Sequence, residues 1–207
     1  MTRHFKPGDW SKPNGRRPND ANRVRIIGGH WRSRIIEFPD AEGLRPTANR
    51  VRETLFNWLG QTLHDKRCLD LFAGSGALGF EAASRGASEV VMVESDRAAA
   101  MALKRNQQRL DAPQCRLIQQ DAKEFLAHNR EKFDIVFLDP PFGSGMMATM
   151  LTLLAPQLAA DAVVYAEWCE PIDAVISAIP QSRWMLAKHG KAGAVHFGLL
   201  SIEKGTA

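Results

Sequence analysis

From Arg67 onward, short apolar segments alternate with longer segments in which apolar residues recur at helical spacing. The short segments predict strands at 68–72, 90–94, 116–119, 133–138 and 162–167, and the longer ones predict helices at 77–85, 97–110, 122–128 and 146–158. Strands of this length that alternate with helices are typical of a parallel sheet covered on both faces. The alternation stops near the carboxyl terminus, where segments 183–189 and 195–203 predict a hairpin that adds an antiparallel strand.

Positive charge is concentrated near the amino terminus. Residues 1–52 contain 12 Lys and Arg against 5 Asp and Glu, whereas residues 53–207 contain 15 against 18. This asymmetry indicates a polyanionic partner that binds near the amino terminus. A solvated basic tail is the alternative interpretation, and it accounts well for residues 1–22 alone.

The amino-terminal region divides into an arm, a hairpin and a helix. Residues 1–22 are rich in Pro, Asn, Gly and basic side chains and predict a flexible basic arm. Two strands at 23–27 and 34–38 flank the turn-prone Gly28-Gly29-His30 and predict a basic hairpin. A helix over 47–59 follows, with Thr47 as its N-cap and Gly60 at its end. We therefore expect an arm at 1–22, a basic hairpin and helix at 23–66, and an α/β domain at 67–207.

The composition argues against several classes of protein. The apolar runs fall short of the about 18 to 20 residues that cross a bilayer, and the amino terminus lacks the apolar stretch of a secretory signal. Three widely spaced cysteines without a CxxC pair predict reduced thiols and no metal site. We expect a cytoplasmic monomer that makes no membrane contact.

A glycine-rich loop follows the first predicted strand of the α/β domain. The run from Asp70 to Gly79 (DLFAGSGALG) contains Gly74-x-Gly76-x-x-Gly79, which formally matches a dinucleotide fingerprint and is a weak signal by itself. Glu94 ends the second strand and is placed to accept hydrogen bonds from ribose hydroxyls. A pyrophosphate would be repelled by Asp70, whereas an ammonium and sulfonium ligand such as S-adenosylmethionine would be attracted.

Another acid, Asp121, follows the third strand and could accept from an adenine amino group. Because parallel strands end at one edge of a sheet, Asp70, Glu94 and Asp121 are expected to converge on one crevice. In the alternative interpretation, these acids are only helix caps and the glycines only a tight turn.

The fourth predicted strand ends in Leu138-Asp139-Pro140-Pro141-Phe142 (LDPPF). The Asp139 carboxylate and the Pro140 carbonyl would hold the two N–H groups of an exocyclic base amine, and Phe142 would stack on the base. Two consecutive prolines restrict the backbone, so these acceptors are positioned before a substrate binds. A simple turn leaving the sheet is the alternative interpretation.

In combination, these motifs resemble S-adenosylmethionine-dependent methyltransferases with a Rossmann-like, mostly parallel sheet of seven strands and an antiparallel last strand. The segments RVRIIGGHWRSRIIEFP (23–39) and LRPTANRVRETLFNWL (44–59) narrow the resemblance to the RsmD family. This family methylates the N2 amine of guanine 966 in bacterial 16S rRNA and prefers the assembled small ribosomal subunit. The resemblance runs from about Arg23 to the carboxyl end.

The resemblance implies roles for individual residues. S-adenosylmethionine would be bound by Asp70, Gly74, Gly76, Glu94, Asp121, Ala122 and Thr47. Catalysis would involve Asp139, Pro140, Pro141 and Phe142. RNA would be contacted by Arg23, Arg25, Trp31, Arg32 and Arg34, with Trp31 as a stacking surface and the arginines on phosphates.

Several alternatives remain open from the residues alone. The glycine loop also suits a nicotinamide-dependent oxidoreductase, although Asp70 and the Asp-Pro-Pro-Phe motif argue against one. A methyltransferase for adenine N6 in RNA or DNA uses a related motif, and an RNA-binding assembly factor without catalysis is a third possibility. Only segment 23–59 favours guanine in RNA.

Overall fold

A computed structural model describes residues 22–39, 47–141 and 145–203 of the chain. The amino-terminal strands are β1 (Arg23–Arg25) and β2 (Ile35–Glu37), which pair antiparallel. The other strands are β3 (Arg67–Asp70), β4 (Glu89–Glu94), β5 (Cys115–Gln119), β6 (Phe133–Leu138), β7 (Leu158–Trp168), β8 (Trp184–Ala192) and β9 (Val195–Ile202). The helices are α1 (Asn49–Leu59), α2 (Ala77–Ser84), α3 (Arg97–Leu110), α4 (Ala122–His128), α5 (Met146–Leu154) and α6 (Ile172–Ser177).

The described residues form one large sheet of seven strands in the order β5-β4-β3-β6-β7-β9-β8. Strands β3 to β7 run parallel, and β9 is antiparallel to both of its neighbours. The predicted fold, a Rossmann-like sheet with an antiparallel last strand, is confirmed. The strand order reverses between β3 and β6, and in such sheets ligands bind outside the carboxyl ends of the strands at this point.

Each face of the sheet is covered by its own hydrophobic cluster. One cluster joins the β1–β2 hairpin, α1, α2 and α3 to side chains such as Val90, Phe137 and Tyr165. The other joins α4, α5 and α6 to Val91, Val136 and Val164. The two sets alternate along the strands, because successive side chains of a strand point to opposite faces.

Most predicted elements are present, with three corrections. The predicted helix over 146–158 is wrong at its end: α5 stops at Leu154, a short 3-10 helix covers Ala155–Gln157, and β7 begins at Leu158. Pro156 explains this end, because proline lacks the N–H that continues an α-helix. Helix α6 was not predicted. Thr47 is not the N-cap of α1, since Ala48 occupies that position without a side-chain hydrogen bond.

The β1–β2 hairpin is fastened to α2 through the buried carboxylate of Glu81. One Glu81 oxygen, Oε2, accepts a hydrogen bond from the Ile27 backbone N–H at 2.8 Å and lies 3.5 Å from Nη1 of Arg52. The other, Oε1, accepts from Nε of Arg85 at 2.9 Å. Arg52 also donates to the Arg25 carbonyl at 2.9 Å. Because the Arg52 and Glu81 side chains are 0% exposed, these contacts join hairpin, α1 and α2 inside the core.

No helix in the described part of the chain combines the length and apolar character that a membrane span requires.

Replacing Glu81 with glutamine should destabilise the protein strongly, because it leaves two buried guanidinium groups without their carboxylate. We expect the free energy of unfolding to fall by about 3 to 5 kcal/mol, as measured by chemical denaturation. Glu37→Gln is the matched control, since Glu37 pairs with Arg23 and Arg109 on the surface and its side chain is 51% exposed. That change should cost about 1 kcal/mol or less. Equal losses in the two variants would contradict the role given to Glu81.

Candidate active site at the carboxyl edge of the sheet

Acidic side chains collect where the parallel strands end. Asp70 is the last residue of β3, Glu94 is the last residue of β4, and Asp139 follows β6 directly. Asp121 lies two residues beyond the end of β5. Because β3, β4, β5 and β6 are parallel, all four acids lie at the same edge of the sheet. Convergence of Asp70, Glu94 and Asp121 on one crevice stays a prediction. Asp70 and Asp139 flank the point where the strand order reverses.

Asp70 holds the first turn of α2. Its Oδ2 atom accepts a hydrogen bond from the Gly79 N–H at 2.9 Å, and the side chain is buried. Burial raises the pKa of Asp70 to about 7, against the opposing effect of the Gly79 hydrogen bond. The helix N-terminus, a natural anion site, is thus already occupied by a carboxylate of the protein.

The glycine loop has a conformation that side chains would disturb. Gly74 and Gly76 have φ values of 49° and 78°, in the left-handed region that favours glycine. A Cβ atom on Gly76 would lie 2.6 Å from Cδ2 of Leu103 and 2.7 Å from the Phe80 ring. The loop therefore packs tightly on α2 and α3.

Glu94 closes the other side of this loop. Its Oε2 atom accepts from the Gly74 N–H at 2.8 Å, and its Oε1 atom accepts from the Asp96 N–H at 2.7 Å. A carboxylate has about four acceptor sites, so Glu94 can still accept from ribose hydroxyls. It also borders a groove of about 730 Å³ between α3 and β5, which includes Ile118 and Gln119. Neither Asp70 nor Asp139 lines that groove.

Asp121 and Ala122 begin α4. Oδ1 of Asp121 accepts from the N–H groups of Lys123 and Glu124 at 2.8 and 3.2 Å, so this acid is a helix cap, as the alternative interpretation expected. The cap leaves the side chain exposed at the edge of the sheet, whereas Ala122 is buried. A ligand contact by Asp121 stays a prediction.

Asp139 directly follows β6, one of the two strands that flank the point where the strand order reverses. Burial raises its pKa well above the ordinary range for an aspartate, and the negative charges of Glu167 and Asp70 add to this effect. Within the described residues, no donor makes a hydrogen bond to its carboxylate. Pro140 is buried and Pro141 is exposed. Phe142 lies outside the described residues, so its stacking role stays a prediction.

Sequence reasoning missed Glu167, which lies beside Asp139. In the parallel pairing of β6 and β7, Leu138 is the partner of Ala166, and the next residues on each strand are Asp139 and Glu167. Glu167 is buried, accepts a hydrogen bond from the Tyr165 hydroxyl at 2.8 Å, and receives another from the Thr47 side chain. The sequence signal that could have revealed Glu167 was an acid at the end of the fifth predicted strand, 162–167. Thr47 therefore contacts this acid instead of capping α1.

Comparisons with known proteins connect this geometry to a family. A family model described as "Conserved hypothetical protein 95" matches residues 24–201. The chain is 42% identical, over 192 residues, to ribosomal RNA small subunit methyltransferase D (RsmD) of Escherichia coli strain K12, with 91% of this chain and 96% of that protein covered. The chain belongs to the RsmD family.

Two further comparisons support this family assignment. The protein of the same name from Haemophilus influenzae is 42% identical over 190 residues, which cover 88% of this chain and 95% of that protein. A solved structure titled as the putative methyltransferase yhhF from Escherichia coli superposes with a TM-score of 0.77 at 43% identity. That match covers 87% of this chain and 98% of the solved chain.

The predicted RNA-binding residues of this RsmD-family chain separate into two groups. Arg23, Arg25, Arg32 and Arg34 are exposed on the hairpin, which leaves their proposed contact with RNA possible. Trp31 is only 4% exposed and belongs to the core, so the predicted stacking surface is wrong. Its backbone N–H donates to Oγ of Ser84 at 2.9 Å, and a Cβ on the nearby Gly29 would lie 1.8 Å from the Ser84 carbonyl oxygen. This close packing of the turn on α2 draws Trp31 inward.

The glycine loop of the RsmD-family chain offers a test with a built-in control. Gly76→Ala should lower the free energy of unfolding by about 1 to 2 kcal/mol for the left-handed backbone and by about 1 to 3 kcal/mol for the contact with Leu103 and Phe80. Gly193 has a similar φ of 61°, but no atom lies within 4 Å of the position its Cβ would take. Gly193→Ala should therefore show the backbone cost alone when both variants are unfolded by denaturant. Equal costs would contradict the tight packing of the loop.

Proposed function

We propose that this protein transfers a methyl group from S-adenosylmethionine to the exocyclic N2 amine of a guanine, guanine 966, in 16S rRNA. The observation that carries the proposal is the Asp139 carboxylate. It is placed at the point of strand reversal, next to the glycine loop held by Asp70, and no described residue donates a hydrogen bond to it. The names of the family members, which are ribosomal RNA small subunit methyltransferases, support the RNA substrate.

The residues present fit a cationic adenosine ligand. Asp70 has a raised pKa of about 7 because it is buried, so a positively charged ligand that favours its ionised form would be stabilised beside it. Gly74 and Gly76 would let the ligand approach the backbone, and Glu94 would accept from its ribose. When bound, S-adenosylmethionine supplies an electrophilic methyl group on a sulfonium.

An oxidoreductase that uses a nicotinamide cofactor fits this site less well. A pyrophosphate would have to approach the N-terminus of α2, where the Asp70 carboxylate already accepts from the Gly79 N–H at 2.9 Å. Two anions at one buried position repel each other strongly in a medium of low dielectric constant. The loop glycines alone therefore do not indicate a dinucleotide.

Asp139 and Pro140 would prepare the amine for reaction. The lone pair of a guanine N2 amine is delocalised into the ring, so the nitrogen must become pyramidal before it attacks. The Asp139 carboxylate and the Pro140 carbonyl would each accept one N–H, which orients the lone pair and stabilises the positive charge that develops. When the new N–C bond forms and the S–C bond breaks, the amine loses one proton, which Asp139 would accept.

The proposal of guanine rather than adenine rests on what the resemblance to the RsmD family implies and not on Asp139, since an adenine N6 amine would suit the same acceptors. The exposed hairpin arginines would bind RNA phosphates. The hairpin turn contacts Ser84 at the end of α2, and an eight-residue helix spans about 12 Å from the glycine loop. The RNA would therefore have to extend along the domain, which suits a large folded substrate such as the small ribosomal subunit.

Asp139→Asn tests the catalytic assignment. Because an amide cannot accept the proton, we expect kcat to fall at least about 100-fold on small-subunit particles that lack the modification. Binding of S-adenosylhomocysteine, measured by calorimetry, should stay near the wild-type value. Asp173→Asn, an exposed position on α6, is the control for the same change of side chain. Mass spectrometry of the particle RNA identifies the nucleotide, and near-normal turnover by Asp139→Asn would contradict the proposal.

The hairpin arginines are tested by reversing their charge. Arg32→Glu combined with Arg34→Glu should weaken RNA binding and lower the slope of log affinity against log salt by about 1 to 2, one for each phosphate that is no longer neutralised. Cofactor affinity should be unchanged. A matched double variant, Arg130→Glu with Arg183→Glu, alters two arginines far from the hairpin in the sequence. If both double variants had the same effect on RNA binding, general charge rather than the hairpin would be responsible.

A further inference from the structure

Glu167 is a buried acid that the proposed mechanism does not use. It follows Ala166 on β7, the partner of Leu138 on β6, and Asp139 follows Leu138, so the two acids are neighbours whose charges interact. The Glu167 residue is 6% exposed. Adjacent strands are about 4.8 Å apart, and paired residues point to the same face, so the two carboxylates can reach one ligand. No ion pair joins either acid to a lysine or arginine within the described ranges.

Hydroxyl groups hold Glu167 in place. The Tyr165 hydroxyl donates to Oε1 at 2.8 Å, and the Thr47 side chain makes a second hydrogen bond. A carboxylate has about four acceptor sites, so two remain for a ligand. Burying a second carboxylate beside Asp139 is costly, and an apolar side chain would fill the same space without that cost. The arrangement is therefore better explained by recognition than by stability.

Guanine presents two adjacent hydrogen-bond donors, which match the two neighbouring carboxylate acceptors. On its Watson–Crick edge the N2 amine stands next to N1–H, which is also a donor, and two adjacent acceptors pair with both. Adenine has its N6 amine next to N1, which carries a lone pair and no hydrogen. An ionised acid at that position attracts guanine and repels adenine.

We propose that Glu167 selects guanine by accepting a hydrogen bond from N1–H while Asp139 accepts from the N2 amine. The assignment rests on the proposed function, and it names the residue that would decide which base amine is methylated. The Tyr165 and Thr47 hydroxyl groups would hold the Glu167 carboxylate in position for this contact.

The protonation of Glu167 matters for this selection, since a protonated acid would donate to N1 and would suit adenine. Burial raises the pKa of Glu167, whereas the hydrogen bonds from Tyr165 and Thr47 lower it. The pKa of Glu167 is raised overall, and the two hydroxyl groups limit this rise and so favour the ionised form that would accept from guanine.

The test uses reconstituted small-subunit particles that carry either guanine or 2-aminopurine at the target position. 2-Aminopurine keeps the 2-amine but has an unprotonated N1. We expect wild-type protein to methylate the guanine particle with a kcat/KM at least about tenfold higher, because the analogue leaves Glu167 unpaired. In Glu167→Gln the amide can donate to N1 of the analogue, so the ratio should fall at least about tenfold.

Controls separate selection from folding. Glu170→Gln makes the same change at an exposed position three residues away and should keep the wild-type ratio. Thermal unfolding and S-adenosylhomocysteine binding show whether each variant is folded. The fluorescence of 2-aminopurine reports base binding without turnover, and it should show tighter binding to Glu167→Gln than to wild type.

Two results would overturn the proposal: equal wild-type kcat/KM on both particles, or an unchanged ratio in folded Glu167→Gln, which includes an equal loss on both substrates. If Glu167→Gln does not fold, Tyr165→Phe removes one hydroxyl donor and should lower the ratio by a smaller factor, and an unchanged ratio would again overturn it. Failure of the proposed function is a distinct outcome, in which wild-type protein methylates neither particle.

Discussion

The crowding of negative charge at the carboxyl edge of the sheet is the constraint on which the site depends. Three acids, Asp70, Asp139 and Glu167, lie near the ends of the neighbouring strands β3, β6 and β7. Burial raises the pKa of each acid. For Asp139, the negative charges of the other two raise the pKa further. The protein partly compensates with donors: the Gly79 N–H for Asp70, and two hydroxyl groups for Glu167. Asp139 receives no such donor within the described residues. A cationic ligand at this edge would relieve the remaining repulsion.

The glycine loop and the amino-terminal hairpin are linked to that edge by α2. At one end of α2, Asp70 holds Gly79 and the loop keeps its left-handed glycines. In the middle, Glu81 binds the hairpin through Ile27 and Arg52, and at the far end Ser84 receives the hairpin turn. The helix that presents the loop is therefore also the support for the exposed arginines, so an RNA-binding surface would be rigidly connected to the site of chemistry.

The limits of helices and strands were predicted well where local sequence signals alone set them. Strand β6 and helices α3 and α4 begin and end where the apolar periodicity places them, and Asp121 is the N-cap of α4, as the alternative interpretation expected. Where long-range packing intervened, prediction failed. Trp31 looks like a stacking residue among arginines, but the fit of Gly29 against Ser84 draws it into the core. Thr47 looks like a cap, but its hydroxyl is used by Glu167, more than a hundred residues away in the sequence.

The sequence by itself determined the parallel α/β fold, the acids at the strand ends and the motifs that indicate a methyltransferase of the RsmD family. These follow from periodicity and from residues close together in the chain, whose geometry is set by local backbone rules. Only the tertiary structure decided which acids are buried, which are caps, and that Glu167 stands beside Asp139. The reason is that strand order and register bring together residues from distant segments, and burial, which sets the strength of every charge interaction here, exists only once those segments have packed.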